Sequence, residues 1–244
     1  MLTTTFELMY KIEEKHWWFS GRRFLVQKLL KNYFINTQEV HILDAGCGTG
    51  LLDHELKEKG IGARVVGFDS SPDAVRFSQQ RGNETIEGSL EKLPFMDNLF
   101  DAVLLLDVIE HVFDERIILA EMHRVLKKNG LLIIFAPAFR LWWSRQDELL
   151  GHYRRYRISD LRKLFDSGEW SVLDAGYFNF CLALPILIAR KVCDMLGFQA
   201  KDEITRASAI NPILKGFFKL ELRLLQWVNF PFGVSVFMII KKDK

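Results

Sequence analysis

The 244-residue chain has few cysteines, only Cys47, Cys181 and Cys193. Three scattered thiols make neither a disulfide framework nor a zinc site, so a reducing, cytoplasmic compartment is expected. It has little excess charge. Thirty-three Lys and Arg stand against 31 Asp and Glu, a formal net charge of +2, so no strong global field draws the protein to nucleic acid. No apolar run reaches the roughly 18 residues of a membrane-spanning helix. The stretch Met1 to Glu14 is mixed polar and charged, unlike a secretory signal. No internal repeat or low-complexity linker divides the chain. What is there is globular in composition, 49% hydrophobic and 26% charged, and long enough for one elaborated domain with a sizeable core.

The chain is organised around His41 to Leu51, HILDAGCGTGL. The apolar residues before the glycines read as a buried strand, and those after Gly50 as a helix. Gly46, Gly48 and Gly50 fall in the turn between them. Glycine there admits positive φ and lets a ligand approach without a Cβ in the way. The turn also opens a helix N-terminus, whose free N–H groups favour an anionic or electron-rich ligand. The spacing is G-x-G-x-G, not the G-x-G-x-x-G of the dinucleotide fingerprint.

Further strands follow at strand-helix-strand distances. Ala63 to Asp69 reads as a second strand ending in an acid, 25 residues after Asp44. An acid at that place in a doubly wound sheet can accept hydrogen bonds from ribose hydroxyls. The competing role, capping the next helix, is left to Ser70 or Ser71 before Pro72. A short third strand near Thr85 leads to Ser89 and Leu90. Phe100 to Asp107 is apolar throughout, as a strand covered on both faces should be, with Asp107 and Val108 at its ligand-facing end. Asp114 to Lys128 reads as an amphipathic helix ended by Asn129-Gly130. Leu131 to Ala136 is a fifth strand, and Ser159, as N-cap, starts a helix before a sixth strand from Ser171.

Ile42, Leu43, Asp44, Gly46, Gly48 and Gly50 match in full the first motif of class I S-adenosylmethionine-dependent methyltransferases. Phe100 to Val112 resembles the fourth motif of that superfamily. The chain is similar to it over roughly residues 13–177 and the final strand, in the manner of its small-molecule and lipid-type branch. The resemblance implies an α/β fold, a doubly wound, mostly parallel seven-stranded sheet with an antiparallel last strand. It implies one domain, with a helical cap over 1–36, a cofactor-binding core over 37–177, a helical insert over 178–230 and a closing strand over 231–244. S-Adenosylmethionine is the implied cofactor and S-adenosylhomocysteine the product. Asp44, Ala45 and the three glycines would shape the methionyl side. Asp69 and Ser70 would face the ribose. Leu90, Asp107 and Val108 would lie towards the adenine or methionine side. Ser89 stands where the superfamily often has an adenine-binding Asp, so that contact is weakened or made differently.

Residues 6–35 read as helical, with His16-Trp17-Trp18-Phe19 and Arg22-Arg23 near the middle. The aromatics either pack this helix onto the core or cap the cofactor. In the second reading Trp18 offers an aromatic face near the sulfonium and Arg22 pairs with the methionyl carboxylate. The loop after strand five is dense in Arg and aromatics, and loops at that edge carry substrate contacts. It is read as a substrate lid with His152, Arg154, Arg155 and Tyr156 as candidates, against a solvated surface helix or a nucleic-acid groove. His111 or His152 would be the general base for a hydroxyl acceptor. Asp107, Glu110 and His111 could hold a metal through oxygen and nitrogen, but no metal is expected. The absence of a D-P-P-Y-like tetrad argues against methylation of DNA bases.

About 55 residues before the last strand have no counterpart in the plain fold. Phe178 to Ala189 is apolar, and Ile213 to Val228 reads as a helix with Lys215, Lys219 and Arg223 four residues apart. These helices either pack on each other or on a second copy, or lie in a membrane interface. The expected function is methyl transfer to a small-molecule or lipid-like acceptor, at a hydroxyl. The alternative is a cofactor-binding protein without catalysis.

Overall fold

The computed structural model describes residues 3–196 and 211–244. Part of the expected insert, 197–210, and the Cys193 side chain lie outside the described residues. Cys47 and Cys181 are free thiols.

One seven-stranded sheet organises the chain, in the order β3-β2-β1-β4-β5-β7-β6. Its strands are β1 (His41–Ala45), β2 (Arg64–Asp69), β3 (Glu84–Glu87), β4 (Phe100–Leu106), β5 (Leu126–Pro137), β6 (Trp170–Phe178) and β7 (Ser235–Lys242). β1 to β5 pair in parallel, and β7 runs antiparallel between β5 and β6. This is the expected doubly wound sheet. Parallel neighbours need crossovers, and the helices α3 (Leu51–Glu58), α4 (Pro72–Gln80) and α5 (Glu115–Val125) supply them. One apolar layer gathers Ile118, Met122, Leu161 and Phe165 against Val103, Ile134 and Met238. The other gathers Leu25, Leu30, Leu56 and Phe218 against Ile42, Leu104 and Ile239. Central strands are therefore buried on both faces, which is why they read as unbroken apolar runs.

The N-terminal stretch is two helices rather than one, α1 (Thr3–Ile12) and α2 (Trp17–Tyr33). His16 caps α2, its Nδ1 accepting from the Trp18 N–H at 3.3 Å. α6 (Arg145–Leu150) and α7 (Ile158–Lys163) follow β5. Arg157, not Ser159, stands at the N-cap of α7. α8 (Ala183–Leu196) and α9 (Asn211–Leu224) precede β7. Asn211 fixes α9 to α2: its Oδ1 accepts from the Trp17 N–H and its Nδ2 donates to the Lys15 carbonyl, both at 2.6 Å.

The expected helix to Lys128 stops at Val125, and β5 begins at once. Leu126 pairs with Phe100 at the foot of β4, and the register shifts before Leu131 meets Ala102. Asn129, at φ +63°, therefore sits in an irregular strand and not in a helix cap. Among the described residues, no helix is long and apolar enough to cross a membrane.

Candidate functional site

The C-terminal ends of the motif-bearing strands open into one cavity of about 1130 Å³. Its first half is built from the ends of β1, β2 and β4, covered by α1 and α2. Gly46 has φ +93°, and a Cβ there would lie 2.3 Å from Val108 Cγ2, so the turn and Val108 can touch only because Gly46 has no side chain. Gly48 has φ +56°, and a Cβ there would meet nothing within 4 Å. It faces open space, as a turn that admits a ligand should. The Gly48 N–H donates to Asp69 Oδ2 and the Ser71 N–H to Asp69 Oδ1, both at 2.9 Å. Burial pushes the Asp69 carboxyl up, and these backbone donors oppose the shift. Ser71 caps α4, its Oγ accepting from the Ala74 N–H at 3.4 Å, which leaves Asp69 to the cavity. Ser70, Ser89 and Leu90 complete this wall.

Beneath the turn, Asp44 and Asp53 form a buried carboxyl pair. Burial drives the Asp44 pKa up to about 7, and the Asp69 charge adds to it. Burial and the neighbouring Asp44 push the Asp53 carboxyl well up too. Two carboxyls this dry disfavour ionising together. Asp44 Oδ1 has no partner, and Asp44 lines the cavity.

Trp18 and Arg22 reach the cavity from α2. Arg22 is buried and spoken for. It forms an ion pair with Asp107 and donates to Ser235 Oγ at 3.0 Å. Its guanidinium lies 5.2 Å from the Trp18 ring centroid and 5.1 Å from that of Phe178. Asp107 itself adopts φ +56° at the end of β4, a conformation that costs a non-glycine residue. Ala45 is fully buried behind the wall. Gly50 is the N-cap of α3 at φ +72°, with Ser78 and Asn83 packed where a Cβ would be. Neither of these two lines the cavity.

The second half is formed after β4 and β5. His152 Nδ1 lies 2.9 Å from Asp147 Oδ1. Burial works against ionisation of Asp147, but hydrogen bonds from His152 and from Arg155 hold its carboxyl well below the usual range. An ionised Asp147 fixes the proton on Nδ1 and leaves Nε2 as an acceptor. The His111 and His152 rings meet edge to face with centroids 4.7 Å apart. Burial, then the His152 charge, lowers the His111 pKa to about 4, so His111 is neutral at pH 7. Glu110 is buried with Oε2 unpaired, and burial and Asp107 push its carboxyl well up. One ligand atom each from Glu110, His111 and His152 fall within 4.8 Å of one another. These three side chains could hold a divalent ion, and they differ from the expected Asp107, Glu110 and His111 because Arg22 holds Asp107.

The expected arginine lid comes apart. Arg154 pairs with Glu115 and donates to the Phe113 carbonyl at 2.8 Å, outside the cavity. Tyr156 is buried, its hydroxyl 3.2 Å from the Ile109 carbonyl and 3.1 Å from Glu115. Both hold the loop and do not face the cavity. Arg155 does line it, but grips Asp147 with two hydrogen bonds of 2.8 Å. Asp147, Asp53 and Glu13 were not anticipated. Their partners lie far along the chain or at spacings that no single helix or strand explains.

Residues 43–134 match the family described as "Methyltransferase domain". The chain is 35% identical over 101 residues to a ubiquinone biosynthesis O-methyltransferase of Azorhizobium caulinodans, covering 39% of each protein. It is 34% identical over 115 residues to a demethylmenaquinone methyltransferase of Thermotoga maritima, covering 46% of this chain and 48% of that protein. Residues 43–134 thus resemble the class I S-adenosylmethionine-dependent methyltransferase superfamily. The matches span less than half the length of either curated relative. A solved S-adenosylmethionine-dependent methyltransferase from Thermotoga maritima shares the fold, with a TM-score of 0.59 at 19% identity over 99% of this chain and 96% of that one.

S-Adenosylmethionine is the cofactor of this superfamily, and the first half of the cavity suits it. Gly48 leaves room where a side chain would stand, Asp69 is held by backbone donors, and the Asp44 carboxyl has an unpaired oxygen.

Proposed function

We propose that the protein transfers a methyl group from S-adenosylmethionine to a hydroxyl of a small, largely apolar acceptor. The observation that carries this reading is the Asp147–His152 pair, 2.9 Å apart, in the same cavity as Asp69 and the glycine turn. When bound, S-adenosylmethionine supplies a methyl group on an electron-poor sulfonium. Asp69 would accept from the ribose hydroxyls, and Leu90 and Val108 would flank the adenine. Arg22 and Asp107 offer a cation and an anion side by side, which suits the paired charges of an amino acid end. Asp147 orients His152, and Nε2 takes the acceptor's proton as the oxygen attacks. His111, kept neutral, adds no charge that would oppose protonation of its neighbour. The names of the curated relatives support a quinone-type acceptor.

The test is transfer of labelled methyl from S-adenosylmethionine into cell extract, separated into organic and aqueous phases. Wild type should label the organic phase. Asp69→Ala should lose activity with cofactor affinity. His152→Ala should lose activity with cofactor affinity kept. Label confined to the aqueous phase would replace the apolar acceptor with a polar metabolite. Cofactor binding without transfer to any of a panel of hydroxyl, amine and quinol acceptors would favour the non-catalytic reading.

A further inference from the structure

α8 and α9 each bury one side and leave the other bare. On α9, Phe218, Glu221 and Leu222 turn inward. Ile213, Phe217, Leu220 and Leu224 follow at intervals of three and four, which places them on one face. Trp227 continues the line beyond the helix. All are exposed, Phe217 by 58% and Trp227 by 73%. α8 repeats the pattern with Leu184 and Ile188, each 64% exposed. Scattered exposed leucines are ordinary in soluble proteins, but an aligned stripe marks a contact surface.

Charge along α9 says what kind of surface. Lys215, Lys219 and Arg223 recur one turn apart, half-exposed or exposed, in a row that borders the stripe at Arg223 and turns away from it towards Lys215. Its one acid, Glu221, is buried, where it accepts hydrogen bonds of 2.9 Å from the Phe180 and Cys181 N–H groups. Lys59 adds to this charge and Glu55 of α3 opposes it at Lys219, whose Nζ lies 5.6 Å from the Phe24 ring centroid, so the row stays net positive. Two copies meeting across this stripe would bring like charges together. An apolar layer beneath anionic headgroups meets both features at once.

Position adds a third reason. Pro185 and Ile186 of α8 and Leu214 of α9 line the cavity, so both helices that carry the stripes also form part of its wall. Phe113 and Tyr153 also line the cavity and are exposed, their rings 5.9 Å apart.

We propose that α8 and α9 seat the protein on an anionic lipid surface, with the apolar stripe among the acyl chains and the Lys215, Lys219, Arg223 row at the headgroups. The cavity then opens towards the bilayer. This docking does not depend on which acceptor is methylated, or on methyl transfer at all.

The experiment is co-sedimentation of the full chain with vesicles of phosphatidylcholine alone and of phosphatidylcholine with phosphatidylglycerol. Wild type should pellet with the anionic vesicles and far less with the neutral ones. Phe217→Glu with Leu220→Glu should weaken partition by about tenfold or more. Lys215→Glu with Arg223→Glu should remove the preference for phosphatidylglycerol. All are surface changes, so circular dichroism and S-adenosylmethionine affinity should not move. A blue shift of tryptophan emission on adding vesicles should be lost in Trp227→Phe. The proposal is overturned if wild type stays in the supernatant with every vesicle. It is equally overturned if wild type is a dimer that binds no vesicle and that Phe217→Glu with Leu220→Glu splits, since the stripe is then an interface between copies.

Discussion

His152 is set apart from the other histidines by what stands behind it. Asp147, ionised and gripped by Arg155, fixes one ring nitrogen and frees the other for the cavity. Removing a positioned general base costs about 10²–10⁴-fold in rate. His152→Ala should lower kcat by that order and leave the dissociation constant for S-adenosylmethionine unchanged, as read by calorimetry. Asp147→Asn should lower kcat less than His152→Ala and leave S-adenosylmethionine affinity unchanged, because the amide no longer fixes the tautomer. A purely structural Asp147 would change the melting temperature and leave kcat unaltered where the variant is fully folded. The sequence exposed the first half of the site and concealed this pair for a physical reason. Asp44, Gly46 and Gly48 are neighbours along one strand and turn, and Asp69 ends the adjacent strand, so their spacing alone brings them together. Asp147 and His152 meet only because α6 ends at Gly151 in a left-handed conformation and turns the chain back. Arg154 and Tyr156 looked like ligand-binding groups because residue type does not show that Glu115 waits for both.

Elements, too, were legible where a single local pattern governs them. β4 and the parallel core were plain from unbroken apolar runs. The break between α1 and α2 was not, because nothing in composition marks Glu13 as buried. Its carboxylate accepts from Thr49 Oγ1 on the glycine turn and from Arg81 at 2.8 Å, and its backbone carbonyl accepts from Arg23 at 2.9 Å. Burial raises the Glu13 pKa, while Thr49 and the two arginines oppose the rise. The cap helices are thus fastened to the turn that faces the cofactor, through one side chain. Glu13→Ala leaves Thr49 and Arg81 without that partner, and a lost hydrogen bond to a charged group is worth roughly 1.5–3 kcal/mol. S-Adenosylmethionine affinity should fall by about tenfold or more, and proteolysis should reach α1 sooner. An unchanged affinity in equilibrium dialysis would show that the cap does not hold the turn in its binding form.

At the scale of the whole molecule, the buried carboxyls tie stability to pH. Asp44 titrates near 7 in the folded chain, against roughly 3.9 when unfolded. Between those values the folded state holds a proton that the unfolded state has released. Its contribution to stability is therefore fully present below about pH 4 and is lost as pH rises towards 7. Asp53 and Glu110, both raised, act in the same direction. His111 acts against them. Its folded value is about 4 and its unfolded value roughly 6.5, so the unfolded state binds the extra proton and stability falls as pH drops through that window. His16 and His123, also lowered by burial, act with His111, while Glu13 and Asp69, also raised, act with the other carboxyls, so five carboxyls stand against three histidines. The urea midpoint should therefore rise as pH falls from 8 to about 5.5. Asp53→Asn removes one raised carboxyl without touching the cavity wall, since Asp53 does not line it. The variant should be more stable than wild type at pH 8 and show a shallower dependence below it. If both proteins gave parallel midpoints across that range, Asp53 would not be holding in the folded state a proton that the unfolded chain releases.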